Sequence, residues 1–245
     1  MRSSLWAWAA IVMLATCGCQ VGSPLFNGRD LTGWQEVAPQ GAWSVQDGVL
    51  KCSGQKEAKA YTWLSTDRKY GDFVLTCDWR TQKDANTGIF LRVPERQGRA
   101  SMTGLEIQVR DDAADKDFTD VSGVVFQRIP ASGRYARPLG EWNEYKLTMV
   151  GRRLRIELNG HLVSDTNIDT VKPQGKDPPA SAVPNAGYIG LQNHGTPAEF
   201  RNIRIRTLSS PSDPPPVVKQ RDCNCGRGTD SVRNVCLCDA VARRP

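Results

Sequence analysis

From Phe26 to Leu208 the chain is written in short apolar runs separated by turn formers. Phe26-Asn27-Gly28, Leu31-Thr32-Gly33-Trp34 and Trp43-Ser44-Val45 before Asp47-Gly48 set the pattern of strand and tight turn. It continues in strands expected over 49–52, 61–65, 73–80, 88–93, 104–110, 144–150, 153–158, 161–165, 186–192 and 198–206. No stretch sustains the helical period of about 3.6 residues. The strongest turn signal is Asn159-Gly160, which joins Arg153-Leu154-Arg155-Ile156-Glu157-Leu158 to Leu162-Val163. A two-residue hairpin turn of this kind needs positive φ at both positions, which Asn and Gly accept at least cost. Many short strands without intervening helices imply an all-β sandwich or jelly roll of two antiparallel sheets. Residues 168–184 carry four prolines and are expected to be irregular.

The ends of the chain depart from this pattern. Arg2 followed by an apolar run at 5–15 reads as a signal peptide, too short for the roughly 20 residues that span a bilayer. Leu14-Ala15-Thr16-Cys17-Gly18-Cys19 resembles a bacterial lipobox, in which Cys19 is the better lipidation site and Cys17 the alternative. An ordinary cleaved signal is the simpler reading of the same run. Either one takes the chain out of the cytoplasm to where disulfides persist, and the lipid anchor is expected to hold it on the bacterial cell envelope, periplasmic or surface-facing. Beyond residue 208 comes a Pro-rich linker at 209–222, then a tail at 223–245 with Cys223, Cys225, Cys236 and Cys238. Those four thiols suit two disulfides in an oxidising compartment better than a zinc site, given the single residue between the cysteines of each pair. What remains, 23–208, suits one domain.

Composition narrows the partners. Net charge is +6, but the 32 Lys and Arg are dispersed among 26 acids, without the basic stripe that neutralises phosphates. Nucleic acid is therefore excluded as the expected partner. Seven Trp supply core and also suit sugars, since indoles offer a flat apolar face with a polar edge. The chain has no Gly-x-Ser-x-Gly elbow, no His-Glu-x-x-His and no phosphate-binding Gly-rich loop. Serine hydrolase, zinc protease and nucleotide chemistry lose ground accordingly. Cys52 and Cys77 fall in expected strands, where they either pair or serve as small buried apolar residues.

Strand parity collects the candidate chemistry. With Leu105, Ile107 and Val109 turned to the core, Glu106, Gln108 and Arg110 share the other face. The same alternation sends Ile89 and Leu91 inward and Phe90 and Arg92 outward, and pairs Gln192 with His194 opposite Ile189 and Leu191. An amphipathic strand always has a solvated face, so parity alone makes no site. A carboxylate, a cation, an amide and an imidazole together, however, hold hydroxyls and move protons near neutral pH. His161, directly after the hairpin turn, is expected to be exposed and structural. Asp111 and Asp112, with Asp115 and Asp117 beyond them, are weak candidates for a divalent cation because they lack the glycine and final glutamate of a calcium loop.

Several ordered segments carry a family resemblance. Leu25-Phe26-Asn27-Gly28-Arg29-Asp30-Leu31-Thr32-Gly33-Trp34, Trp43-Ser44-Val45-Gln46-Asp47-Gly48, Asn86-Thr87-Gly88-Ile89-Phe90-Leu91-Arg92, Gly104-Leu105-Glu106-Ile107-Gln108, Gly140-Glu141-Trp142-Asn143 and Gln192-Asn193-His194-Gly195 resemble the 3-keto-disaccharide hydrolase family. The resemblance spans residues 25–208 and implies a concanavalin-like jelly roll whose concave sheet binds a sugar oxidised to a ketone at C3. It further implies removal of the C2 hydrogen, expulsion of the C1 oxygen and hydration. Glu106 and His194 are then expected as base and acid, in either order, and Arg92 and Gln108 as groups that steady the enolate or hold hydroxyls. Asn86, Gln192 and Trp142 join them as substrate contacts, while Asp111 or Asp112 orients His194 or holds a cation. No cofactor is required. The family often has Asp where this chain has Asn193. The rival readings are a carbohydrate-binding protein without catalysis and a structural envelope lipoprotein.

Overall fold

The computed structural model describes residues 22–37, 40–55, 62–112, 118–172 and 178–208. The expected signal and lipobox, with Cys17 and Cys19, lie outside them, as do the linker, the four tail cysteines, Asp115 and Asp117. In chain order the strands are β1 (Ser23–Pro24), β2 (Trp34–Val37), β3 (Trp43–Gln46), β4 (Val49–Cys52), β5 (Thr62–Thr66), β6 (Phe73–Thr81) and β7 (Asn86–Val93). A four-residue helix, α1 (Ala100–Thr103), leads into β8 (Leu105–Arg110). The rest are β9 (Asn143–Val150), β10 (Arg153–Leu158), β11 (His161–Asn167), β12 (Tyr188–Asn193) and β13 (Ala198–Thr207).

The strands form two antiparallel sheets, as the periodicity and the resemblance imply. The larger runs β11-β10-β9-β6-β13-β4-β3 with β1 added on β13, and the smaller runs β2-β5-β12-β7-β8. Asn159 and Gly160 both take positive φ in the β10–β11 turn, and Asn159 fixes it by accepting from the Glu144 amide and donating to Tyr135 O. Among its described residues, the irregular stretch after β11 has two 3-10 turns, Ile168–Thr170 and Ala180–Ala182.

Between the sheets lies a single main core, to which β6 sends Phe73, Leu75, Cys77 and Trp79 and β8 sends Leu105, Ile107 and Val109. Truncating any of these buried aliphatics to alanine costs about 2–5 kcal/mol, because the cavity left behind collapses only in part. Cys52 and Cys77 are both free and buried. β13 stands between their strands, a separation of about 9–10 Å that is too wide for a disulfide. They are packing residues, and burial raises both thiols, Cys52 to about 11.

The sheets differ in how they treat their second face. β6, in the larger sheet, alternates buried with half-exposed residues, whereas β5, β7 and β12 of the smaller sheet are buried almost throughout. Trp63, Phe90, Val93 and Ala100 form a second apolar cluster, closed by α1 packing against β7 and β8. That half-covered face holds the candidate site.

Candidate active site

A cavity of about 290 Å³ opens on the outer face of the smaller sheet. Register brings its floor together. Trp63 of β5 pairs with Gln192 of β12, Gly190 of β12 pairs with Phe90 of β7, and β8 places Glu106 opposite Phe90 and Gln108 opposite Gly88. Two glycines on this floor make room for their neighbours. A Cβ on Gly190 would fall 2.1 Å from the Trp63 ring, and one on Gly88 would fall 3.0 Å from Cγ of Glu106. Trp63 can thus lie across the strand, edge-on to Phe90 with ring centroids 5.7 Å apart.

Five of the residues expected from sequence line this cavity: Glu106, His194, Gln108, Gln192 and Asn86. Glu106 is 4% exposed, and desolvation pushes its carboxyl from the ordinary 4.5 up to about 7. A hydrogen bond from Gln192 and the charges of Arg99 and Arg128 pull the other way without cancelling the burial. Gln108 donates to Asn86 Oδ1 at 3.2 Å and to Asp120 at 3.5 Å. Gln108 Oε1, Gln192 Oε1 and Trp63 Nε1 are buried with no hydrogen-bond partner among the described residues. Such groups cost about 1–3 kcal/mol each when left unpaired, and all three residues line this one cavity. His194 stands exposed at the rim, just past the end of β12.

A model of the 3-keto-alpha-glucoside-1,2-lyase-like domain matches residues 22–206. The chain belongs to this family. It is 28% identical to a 3-keto-disaccharide hydrolase of Bacteroides thetaiotaomicron over 75% of this chain and 77% of that protein. Among solved structures, a proposed glycosyl hydrolase of Parabacteroides distasonis shares the fold with a TM-score of 0.67 at 24% identity, covering 76% of this chain and 93% of the other. A Bacillus subtilis protein of unknown function with a galectin-like fold overlaps with a TM-score of 0.51 at 14% identity, covering 78% and 99%. The fold is thus the jelly roll of the concanavalin and galectin kind, and the family is one of glycoside-acting relatives.

Two of the expected substrate contacts lie elsewhere in the structure. Arg92 does not face the cavity. The β7–β12 pairing slips by one residue between Phe90 and Val93, and Arg92 takes φ +55° at that bulge, so its side chain turns away from the face that strict alternation assigns to it. It is fully buried and ties distant loops together, donating to Gly151 O at 2.7 Å, Gly71 O at 3.1 Å and Asp72 at 3.0 Å. Trp142 belongs to the outer face of the larger sheet, between Arg80 and Arg201 whose guanidiniums lie 4.6 and 4.0 Å from its ring.

The acidic run also has structural work. Asp111 accepts from the Asp84 amide at 3.0 Å and Asp112 from the Ser122 amide at 2.9 Å. No cluster of three or more His, Cys, Asp or Glu suited to a metal occurs among the described residues. Asn193, where the family often has Asp, receives the Gly195 amide and donates to Gln55 O at 2.6 Å. It shapes the turn that presents His194. An aspartate could make the first bond only. His161 is exposed and stacks on Tyr135 at 4.9 Å, as a structural residue.

Sequence reading missed Trp63, Arg99, Ser101 and Phe126, all of which line the cavity. Trp63 had a signal: in Trp63-Leu64-Ser65, Leu64 takes core parity, which turns Trp63 to the face of Gln192. Arg99 and Phe126 come from loops, whose approach to a sheet no periodicity reports.

Proposed function

We propose that this protein cleaves the glycosidic bond of 3-keto-glycosides by elimination and hydration. The observation that carries the reading is Glu106, a buried carboxyl raised to about 7, beside two amide oxygens and an indole N–H that lack hydrogen-bond partners among the described residues. A ketone at C3 acidifies the hydrogen at C2, and a base with a pKa near working pH suits its removal. Glu106 takes that proton, and the electron pair forms an enolate on the C3 oxygen. The enolate collapses with loss of the C1–O bond, His194 gives a proton to the departing oxygen, and water then adds across C1=C2. The order of roles follows from position: Glu106 lies at the floor, while His194 stands at the mouth through which a leaving group departs. Gln108 and Gln192 offer free amide oxygens to sugar hydroxyls, and Trp63 offers an indole N–H.

Export and lipid attachment through Cys19, or Cys17, belong to the same proposal. They rest on the apolar run and lipobox pattern at the start of the chain.

The test is release of the leaving group from chromogenic 3-keto-α- and 3-keto-β-glucosides by protein lacking residues 1–19, beside the unoxidised glucosides. Turnover of a keto sugar alone, lost in Glu106→Gln and His194→Ala, is the expected result. Binding without turnover would replace the enzyme with a carbohydrate-binding protein.

A further inference from the structure

With Arg92 committed to the fold, the elimination lacks the cation that the sequence assigned to the enolate, and the cavity supplies another. Its lining holds one guanidinium, that of Arg99. Arg99 immediately precedes α1, and its Nε donates to Ser101 Oγ at 2.9 Å, which fixes the head of a long side chain at the pocket wall. Its two Nη atoms have no hydrogen-bond or ion-pair partner among the described residues. The two glutamine amides are more committed: Gln108 Nε2 is shared between Asn86 and Asp120, and the Gln192 amide serves Glu106. Arg128, the second cation near Glu106, spends its guanidinium on Gly104, Met102 and Pro178 carbonyls.

We propose that Arg99 is a catalytic residue whose free Nη groups donate to the C3 oxygen as it becomes an enolate. The inference rests on the elimination reading above. In the step concerned, the C2–H bond breaks toward Glu106, its electron pair becomes the C2=C3 bond, and the carbonyl electrons move onto the C3 oxygen. No charge leaves the pocket at that point, so a fixed cation beside the oxygen lowers the barrier more than it tightens the neutral ketone. Arginine suits the task because it stays charged at any working pH and Ser101 has already oriented its plane.

The experiment separates this step from bond cleavage. A 3-keto-1,5-anhydroglucitol has the C2 hydrogen and the ketone but no leaving group, so exchange of that hydrogen in D2O, followed by NMR, reports enolate formation alone. Wild-type protein is expected to catalyse exchange, and Arg99→Gln to slow it by about 10²–10³-fold while KM for a 3-keto-glucoside changes far less than kcat. Arg99→Lys restores part of the loss. Arg99 is exposed, so the variant is expected to melt like wild type. Wild-type exchange rates in Arg99→Gln overturn the proposal. So does a loss that disappears at pH 9, where Glu106 is ionised without help, since Arg99 would then act only through Glu106. Failure of wild type itself to exchange or cleave overturns the elimination reading, and this inference with it.

Discussion

Gly88 sits beside the carboxyl it protects: a Cβ at that position would lie 3.0 Å from Cγ and 3.3 Å from Oε1 of Glu106. The neighbouring backbone is as close, because Ile107 O would be 3.1 Å away. Gly88 has no positive φ, so its backbone alone does not call for glycine. The requirement comes from the site. Gly88→Ala is therefore expected to move Glu106 off its station and lower kcat by about tenfold or more, at a stability cost of about 1–3 kcal/mol for overpacking. Kinetics beside a thermal melt check this, and unchanged kcat in a folded variant would refute it.

Glu106 links activity to pH and to stability. Its carboxyl is raised from 4.5 to about 7 by burial, so the folded protein holds a proton there that the unfolded chain has released between those values. Stability from this group is fully present below about 4.5 and is lost as pH rises toward 7. The shift amounts to up to about 3 kcal/mol. Glu106→Gln should thus melt higher than wild type at pH 8, by several degrees, and by little at pH 4.5. Wild-type kcat/KM should rise through pH 7 as the base ionises. Equal melting curves at both pH values would mean that the carboxyl titrates normally.

Arg92 is expected to behave as a fold residue. Breaking its buried pair with Asp72 strands a charge and three hydrogen bonds, which costs about 3–5 kcal/mol. Arg92→Gln should lower the melting temperature by about 10 °C or more while the protein that remains folded keeps its KM. A raised KM without loss of stability would return Arg92 to the site.

The strands and the polar face of β8 were legible because each depends on period-two alternation, which residue type reports directly, and the β10–β11 hairpin because Asn159-Gly160 suits two positive φ values. Arg92 was misread where that period fails: one extra residue in β7 turns the side chain over, and nothing in Ile89-Phe90-Leu91-Arg92 announces a bulge. Trp142 was misread for another reason. Its segment marks the family, but a motif does not say which sheet it faces. Arg99 and Phe126 reach the cavity from loops, and their placement is settled by tertiary packing.

Trp142 tests whether the chemistry is confined to the smaller sheet. Its indole lies between Arg80 and Arg201, and Arg137 donates to its carbonyl at 2.8 Å. These contacts pin the loop before β9 against the larger sheet, each cation–π pair being worth about 0.5–1 kcal/mol. Arg80 and Arg201 also pair with Glu199 and Asp78, so both stay anchored when the ring is removed. Trp142→Ala should accordingly lose about 1–2 kcal/mol of stability and keep wild-type kcat and KM on a 3-keto-glucoside. A KM raised tenfold in a variant that melts normally would show that sugar reaches the larger sheet, and that the binding surface extends beyond the cavity around Glu106.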